Sequence, residues 1–523
     1  MKRFLGLLLC AALLGGTLSA CKEDKTVYVP TGDGLTWDEA TKPIYSEPKE
    51  QVLSLTWYAD RSLNPYQCGD YTNRTLFSLI YQSLFAVDRD YKAEPILCAK
   101  YYVSPDLRKW TFYPAEATFS DGAALTAADV QASLKAAVEG PYYSGRFAIV
   151  DEITLTDDGG VTVALTTPCA DLPMLLDVPI VKASQVDYPW PQGTGPYMYE
   201  EYEEKIWLRL RKDWWCQAEL PLSTDYVPLV NAESPGQIRD TFEFSDLGLV
   251  CADPGAENYA EFHSDYELWD CENGTFLYLA CNRESPVFSV DEVRANLTFA
   301  IDRERLAKEY YRSFAYASAL PASPNSPYYD AALAGRYAKD PAKLTAAINA
   351  AGLQQADVVL LVNKADSIRL RAARQIGAML EECGLDVAMS ELTGDAYLTA
   401  LTEGTYDLHL GQTRLAANMD LSAFFDPEGA LNFGGLGDVA TYALCLEALA
   451  NRGNYYTLHQ RILEDGALCP ILFRSYAVYA DRGLFTVLDP ARDNVFYYSL
   501  GVSLEDVEIE YPSEPEPTEE PQD

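Results

Sequence analysis

The stretch Ala117-Thr-Phe-Ser-Asp-Gly-Ala-Ala-Leu-Thr-Ala-Ala-Asp-Val130 packs a tight turn and a helix start into fourteen residues. Ser120-Asp121-Gly122 is turn chemistry, because Asp bonds its own backbone and Gly takes positive φ without a steric penalty. Thr126 is placed to cap the helix, and Asp129 stands at the third helical position, from which a carboxylate reaches back to the Thr126 amide. These residues specify a firmly started helix behind a turn, and nothing more.

Downstream, Glu152–Thr156 and Gly160–Leu165 alternate around Asp157 to Gly159 and predict an antiparallel hairpin. A different style begins near residue 358. The apolar run Val358–Val362 predicts a strand buried on both faces, and Ile368, Ala372, Ile376, Met379 and Cys383 recur at helical spacing after a cap at Asp366 or Ser367. Gly384 supplies the helix end, Leu385 and Val387 begin a second strand, 395–401 reads as helix, and Tyr406–Leu410 is a third strand. That βαβαβ order predicts a parallel sheet covered by helices, with ligands bound beyond its carboxyl ends, from Gln412 onward. Val293, Leu297, Ala300 and Ile301 predict another amphipathic helix, begun by Ser289 or Asp291.

The chain ends frame this body. A basic start (Lys2, Arg3), an apolar run over 4–14 and Leu18-Ser-Ala-Cys21 read as a secretory signal over 1–20 of lipobox type, with Cys21 as the acylated anchor. Residues 21–48 read as a flexible tether and 511–523, rich in Pro and Glu, as a disordered acidic tail. No later apolar run is long enough for a membrane span. Loss of Lys2 and Arg3 leaves 38 basic against 78 acidic side chains, a formal charge of −40, which argues against nucleic acid as a partner. Three histidines and no Cys-x-x-Cys argue against zinc, and no cofactor is expected. Asn273-Gly274 reads as a two-residue hairpin pairing Cys271 with Phe276, which argues against a Cys271–Cys281 bridge.

Phe119-Ser-Asp-Gly122 followed by Thr126-Ala-Ala-Asp-Val130 resembles a segment pair of the family 5 extracellular solute-binding proteins of ABC importers, the group with peptide-, nickel- and some sugar-binding receptors. Leu63-Asn-Pro-Tyr66, Leu79–Phe85, Trp110-Thr-Phe112, Gly193-Thr-Gly-Pro-Tyr197, Asp291–Leu297 with Ala300–Arg303, and Cys469–Phe473 follow the family's order. The resemblance implies an α/β, two-lobed periplasmic-binding-protein-like fold of mixed sheets flanked by helices, with the ligand cleft between lobes that close about a hinge. It places lobe I at 49–78, 193–275 and 482–510, an additional subdomain at 79–192, and lobe II at 276–481. It also implies a monomer that captures a small solute, hands it to permease subunits and is held at the bilayer through Cys21, on the periplasmic side or the outer face of the cell membrane.

The resemblance puts Trp57, Tyr58, Asn64 and Tyr66 near the mouth of the cleft. Peptide binders of the family hold the ligand ammonium with an aspartate in a Trp-x-x-Asp-Tyr-x-Asp-Pro segment. Here Gly411–Ser422 aligns Asp420 with the second acidic position and Ala417 with the amine-binding one, and the tryptophan is missing. Arg414 and Asn418 stand there instead, so an ordinary free-amine peptide is disfavoured and Arg414 is a candidate for a carboxylate or phosphate. Asn432-Phe433-Gly434-Gly435 is a permissive loop able to approach a ligand. A surface enzyme such as a glycoside hydrolase is the competing class, but His-Glu-x-x-His, Gly-x-Ser-x-Gly and P-loop motifs are all missing. An adhesin would show repeats, and there are none.

Overall fold

In the computed structural model, Gly122 takes φ +83° and its N–H donates to the Phe119 carbonyl at 2.9 Å. The helix follows over Ala127–Glu139. One oxygen of Asp129 accepts from the Thr126 amide (2.9 Å) and hydroxyl (2.6 Å), and the other accepts from the Ala183 amide (2.8 Å). The helix start is thereby stitched to a segment 54 residues away. Arg211 performs the same service for the turn: its guanidinium donates to the carbonyls of Thr118, Phe119 and Gly195 at 3.1–3.2 Å.

That contact gives the Gly193-Thr-Gly-Pro-Tyr197 motif a physical meaning. A Cβ on Gly195 would stand 2.5–2.6 Å from backbone atoms of Leu79 and Ile80, and one on Gly193 2.1 Å from the Ile80 carbonyl oxygen. Gly195→Ala is expected to destabilise by roughly 1–3 kcal/mol, because backbone rather than a flexible side chain must move. Urea denaturation checks this, and a loss below about 0.5 kcal/mol would refute the close-approach account.

The structure describes residues 53–502 and 504, apart from 203–204, 217, 245–246, 255–261, 263–265 and 486. The signal, Cys21, the tether and the acidic tail lie outside these residues. The described residues form one compact unit. Its first sheet runs in the order Leu55–Trp57, Tyr226–Asn231, Lys205–Leu210, Tyr197–Tyr202, the first pair parallel. A second holds Cys98–Val103, Lys109–Pro114, Val161–Leu165 and Val150–Leu155, and includes the predicted hairpin in the register Leu155 opposite Val161.

The largest sheet runs Leu249–Ala252, Leu468–Asp481, Tyr266–Cys281, Leu408–Arg414, Asp357–Asn363, Asp386–Leu392, with Ala315–Ala317 beside Leu468–Asp481. Its last three strands are parallel and form the βαβαβ unit. The first crossover runs from Asp357–Asn363 to Asp386–Leu392 and the second returns past Asp357–Asn363 to Leu408–Arg414, and right-handed crossovers in these opposite directions put the two helices on opposite faces. Accordingly Val358, Leu360 and Val362 pack with Ile368, Ala372 and Ile376 of the helix Ser367–Glu382, while Leu361 packs with Tyr397, Ala400 and Leu401 of the helix Gly394–Glu403. Asp366 is the cap, accepting from the Arg369 amide. The third strand runs to Arg414 rather than ending at 410, because it pairs with Tyr266–Cys281 as far as Thr275 opposite Arg414.

Two expectations are corrected. Asn273-Gly274 does not turn a hairpin: Tyr266–Cys281 is one strand of sixteen residues, with Cys271 opposite Tyr476 and Phe276 opposite Phe473. The neighbouring strand Leu468–Asp481 supplies a better partner than a local return, so Gly274, at φ +72°, serves a bulge instead. The helix over Asp291–Asn296 follows Val290, with no side-chain cap from Ser289 or Asp291, and tightens to a 3₁₀ turn over Leu297–Ala300; its predicted apolar positions are all buried. Among the described residues the ten cysteines are unpaired, and no helix is long and apolar enough to cross a membrane.

Candidate ligand-binding site

The long antiparallel pair Tyr266–Cys281 and Leu468–Asp481 joins Leu249–Ala252 at one end to the βαβαβ strands at the other. Midway, where the bulge at Gly274 breaks its register, charged and aromatic side chains converge. Arg414 ends its strand here. Its Nε donates to the Asn273 carbonyl at 2.9 Å, its Nη2 is ion-paired with Asp493, and its guanidinium lies 4.8 Å from the centre of the Tyr142 ring. Tyr142 also donates its hydroxyl to Asp493 at 2.9 Å. Burial by itself would raise the Asp493 pKa, yet the guanidiniums of Arg414, Arg74 and Arg492 hold it well below the usual carboxylate range.

A second cluster adjoins it. Arg474 is buried, donating to both oxygens of Asp253 (2.8 and 3.0 Å) and to the Gln412 side chain (3.0 Å), with Asp366 at 3.8 Å. Tyr476, two residues on, stacks on Tyr71 with ring centres 3.7 Å apart, and the Tyr71 hydroxyl lies 3.0 Å from Cys251 Sγ. The strand centre thus offers fixed cations, carboxylates and stacked phenol rings in one place, which is the equipment for holding a polar solute with flat or apolar parts.

The sequence profile of the bacterial extracellular solute-binding proteins, family 5 Middle, matches residues 92–429. The chain belongs to that family. The glutathione-binding protein GsiB of Pectobacterium atrosepticum is 26% identical over 337 residues, 61% of this chain and 64% of that relative; the chain thus spans less than two thirds of that relative's length. Among solved structures, HbpA2 from Haemophilus parasuis superposes with a TM-score of 0.71 at 16% identity, covering 87% of this chain and 100% of that one. NikA from Brucella suis, in complex with Fe(III)-EDTA, gives 0.67 at 18% identity over 85% and 98%. The fold is therefore the two-lobed α/β binding-protein architecture.

Within this family 5 fold, the expected site residues separate. Arg414 alone joins the convergent cluster. Trp57 is buried edge-to-face on Trp190 (5.1 Å), and Tyr58 lies under the Arg61 guanidinium (3.9 Å). Asn64 donates to the carbonyls of Val186 and Tyr188 (2.7 and 2.8 Å) and accepts from the Tyr66 amide, while Tyr66 donates to Pro179. Leu63-Asn-Pro-Tyr66 is thus a tie between segments, its polar atoms already engaged. Asn418 is 1% exposed, with both side-chain amide atoms unpartnered and its main-chain carbonyl accepting from the Tyr455 hydroxyl. Asp420 accepts from the Ser422 amide, and burial raises its pKa.

Asn432 closes its own loop, bonding Pro427 and Gly437, and the ring of Phe433 stands 6.3 Å from that of His409. This loop is held by the Arg283 amide bonding Gly434, next to the Cys281–Leu408 end of the strand pair and opposite the Arg414 end. Tyr71, Arg74, Tyr142, Asp253, Tyr476 and Asp493 carry no local sequence pattern that marks them for the site. One signal for Arg474 is present: an arginine directly after the apolar run Cys469–Phe473, inside the strand Leu468–Asp481, needs a partner for its charge.

Proposed function

We propose that this protein is the extracytoplasmic solute-binding component of an ABC importer, held to the cell membrane by a lipid on Cys21 and working with permease subunits as a monomer. Lobe I comprises 49–78, 193–275 and 482–510 with the subdomain 79–192, and lobe II comprises 276–481. The solute lies between them, against Arg414, Arg474, Tyr71 and Tyr476. The observation that carries this reading is the convergence of half-buried Arg, Asp and Tyr side chains around the buried Arg474 at the middle of the strand pair that runs between the two sheet systems. Family membership supports binding over the surface hydrolase that an acidic composition left open.

The filled amine position of peptide binders is Ala417 here, buried and apolar, so the ligand is an oligopeptide-like or related solute without reliance on a free ammonium at that point. A thermal-shift panel of peptides including glutathione, nickel complexes and oligosaccharides tests this. A solute at one hundred times its Kd is expected to stabilise by about 2.7 kcal/mol. Silence across all three classes would count against the binding role. Cys21→Ser is expected to release the protein from the membrane fraction, and retention there would remove the lipid anchor.

A further inference from the structure

Beside the Arg414–Asp493 pair lies a cavity of about 70 Å³, walled by Arg74, Ser78, Tyr143, Arg492, Asp493 and Asn494 among others. Its carboxylates are already committed: Asp493 to Arg414 and Tyr142, and Asp177 to Arg146. Its two cations form no ion pair, although both lower the Asp493 pKa from a distance and their guanidiniums rest 3.3 Å from the centre of the Tyr142 ring (Arg74) and 5.3 Å from that of Tyr91 (Arg492). Arg74 and Arg492 are each 3% exposed, and neither forms an ion pair within 4.0 Å. Arg74 places its amino groups on the Pro65 and Cys68 carbonyls and the Tyr143 hydroxyl, and its Nε has no partner. Arg492 bonds the Leu415 carbonyl through Nη2 at 3.4 Å, and its Nε and Nη1 have none. Ser78 Oγ, on the same wall, is also unpartnered.

Buried guanidinium N–H groups left unpaired are costly, and a fixed anion removes that cost. The volume admits a carboxylate group, which needs little more space than the roughly 30 Å³ share of a water molecule. We propose that this cavity is a carboxylate subsite, in which Arg74, Arg492 and Ser78 receive an acidic group of the captured solute. This rests on the importer reading above. It adds that the solute is a carboxylic acid, and that its anion is held by lobe I residues rather than by Arg414, whose own charge Asp493 already neutralises.

The test is calorimetric titration of the full-length protein with sodium formate, chloride keeping ionic strength constant. Saturable one-to-one binding in the millimolar range is expected, at least tenfold weaker in Arg492→Gln. Asn494→Asp sets a carboxylate on the cavity wall without removing a buried cation. It is expected to abolish the formate response and raise the melting temperature, which keeps the test available should Arg492→Gln fail to fold. Formate should also weaken binding of whichever solute the thermal-shift panel identifies. No saturable formate binding, equal binding in Arg492→Gln, or a solute indifferent to formate each overturns the subsite. The importer reading stands or falls separately, on whether the panel yields a solute at all.

Discussion

Arg414→Met is expected to lower the unfolding free energy at pH 7 by about 2 kcal/mol, below the 3–5 kcal/mol found when one member of a fully buried ion pair is removed, because the two side chains are 25% and 20% exposed. The reasoning is local. The substitution strands Asp493 with Arg74 and Arg492 nearby, neither within ion-pairing distance, and only the Tyr142 hydroxyl still donating to it. Arg414→Met combined with Asp493→Asn should recover most of the loss, since the penalty comes from the orphaned charge rather than from the missing pair. Urea denaturation of the three proteins separates these terms. The pH dependence has a definite sign: a carboxylate whose folded pKa is depressed stabilises above its unfolded pKa near 4 and loses that contribution as pH falls below it. In Asp493→Asn that part of the acid response should disappear. A single mutant within 1 kcal/mol of wild type would show that the pair is solvent-screened.

A second large effect is acid sensitivity at milder pH. His409 and His459 are buried without ring-nitrogen partners at His409 Nδ1 and at both nitrogens of His459. Burial pushes both pKa values down to about 3, and Arg369 adds to the effect at His409. Below about pH 6.5 the unfolded chain takes up two protons that the folded one refuses, so stability falls as pH drops from 6.5 toward 3. Each histidine contributes up to about 1.4 kcal/mol per pH unit in that window, and together they remove on the order of 5 kcal/mol between pH 6.5 and 4.5. Unfolding midpoints in urea, measured in half-unit steps from pH 7.5 to 4.5, should fall steadily. His459→Gln should flatten the slope by about half, and an unchanged slope would mean that these rings are reached by water in the native state.

Local chemistry is where the sequence reads best. The Thr126–Asp129 helix start, the Val150–Leu155 to Val161–Leu165 hairpin and the βαβαβ unit all depend on side chains within one turn or one pleat of each other. Asn273-Gly274 misleads for the opposite reason: its turn propensity is overridden by twelve paired positions on a strand two hundred residues away. The site is legible to the same limited degree. Arg414 stands out as a cation where a tryptophan and an aspartate are expected, but its partners Tyr142 and Asp493 come from segments 272 and 79 residues distant with no shared pattern. Conversely, Asn64 and Tyr66 look available in the sequence because their hydrogen-bond partners are main-chain carbonyls, which composition cannot reveal.

The central claim is that two lobes close on a solute about the Tyr266–Cys281 and Leu468–Asp481 strands. It is tested most directly by the distance between spin labels at Lys212 and Glu382, carried on non-cysteine handles. Titration with the solute identified by thermal shift should collapse a broad distribution onto one shorter distance, with a midpoint equal to the calorimetric Kd. A distribution that stays the same while the solute is demonstrably bound would contradict closure.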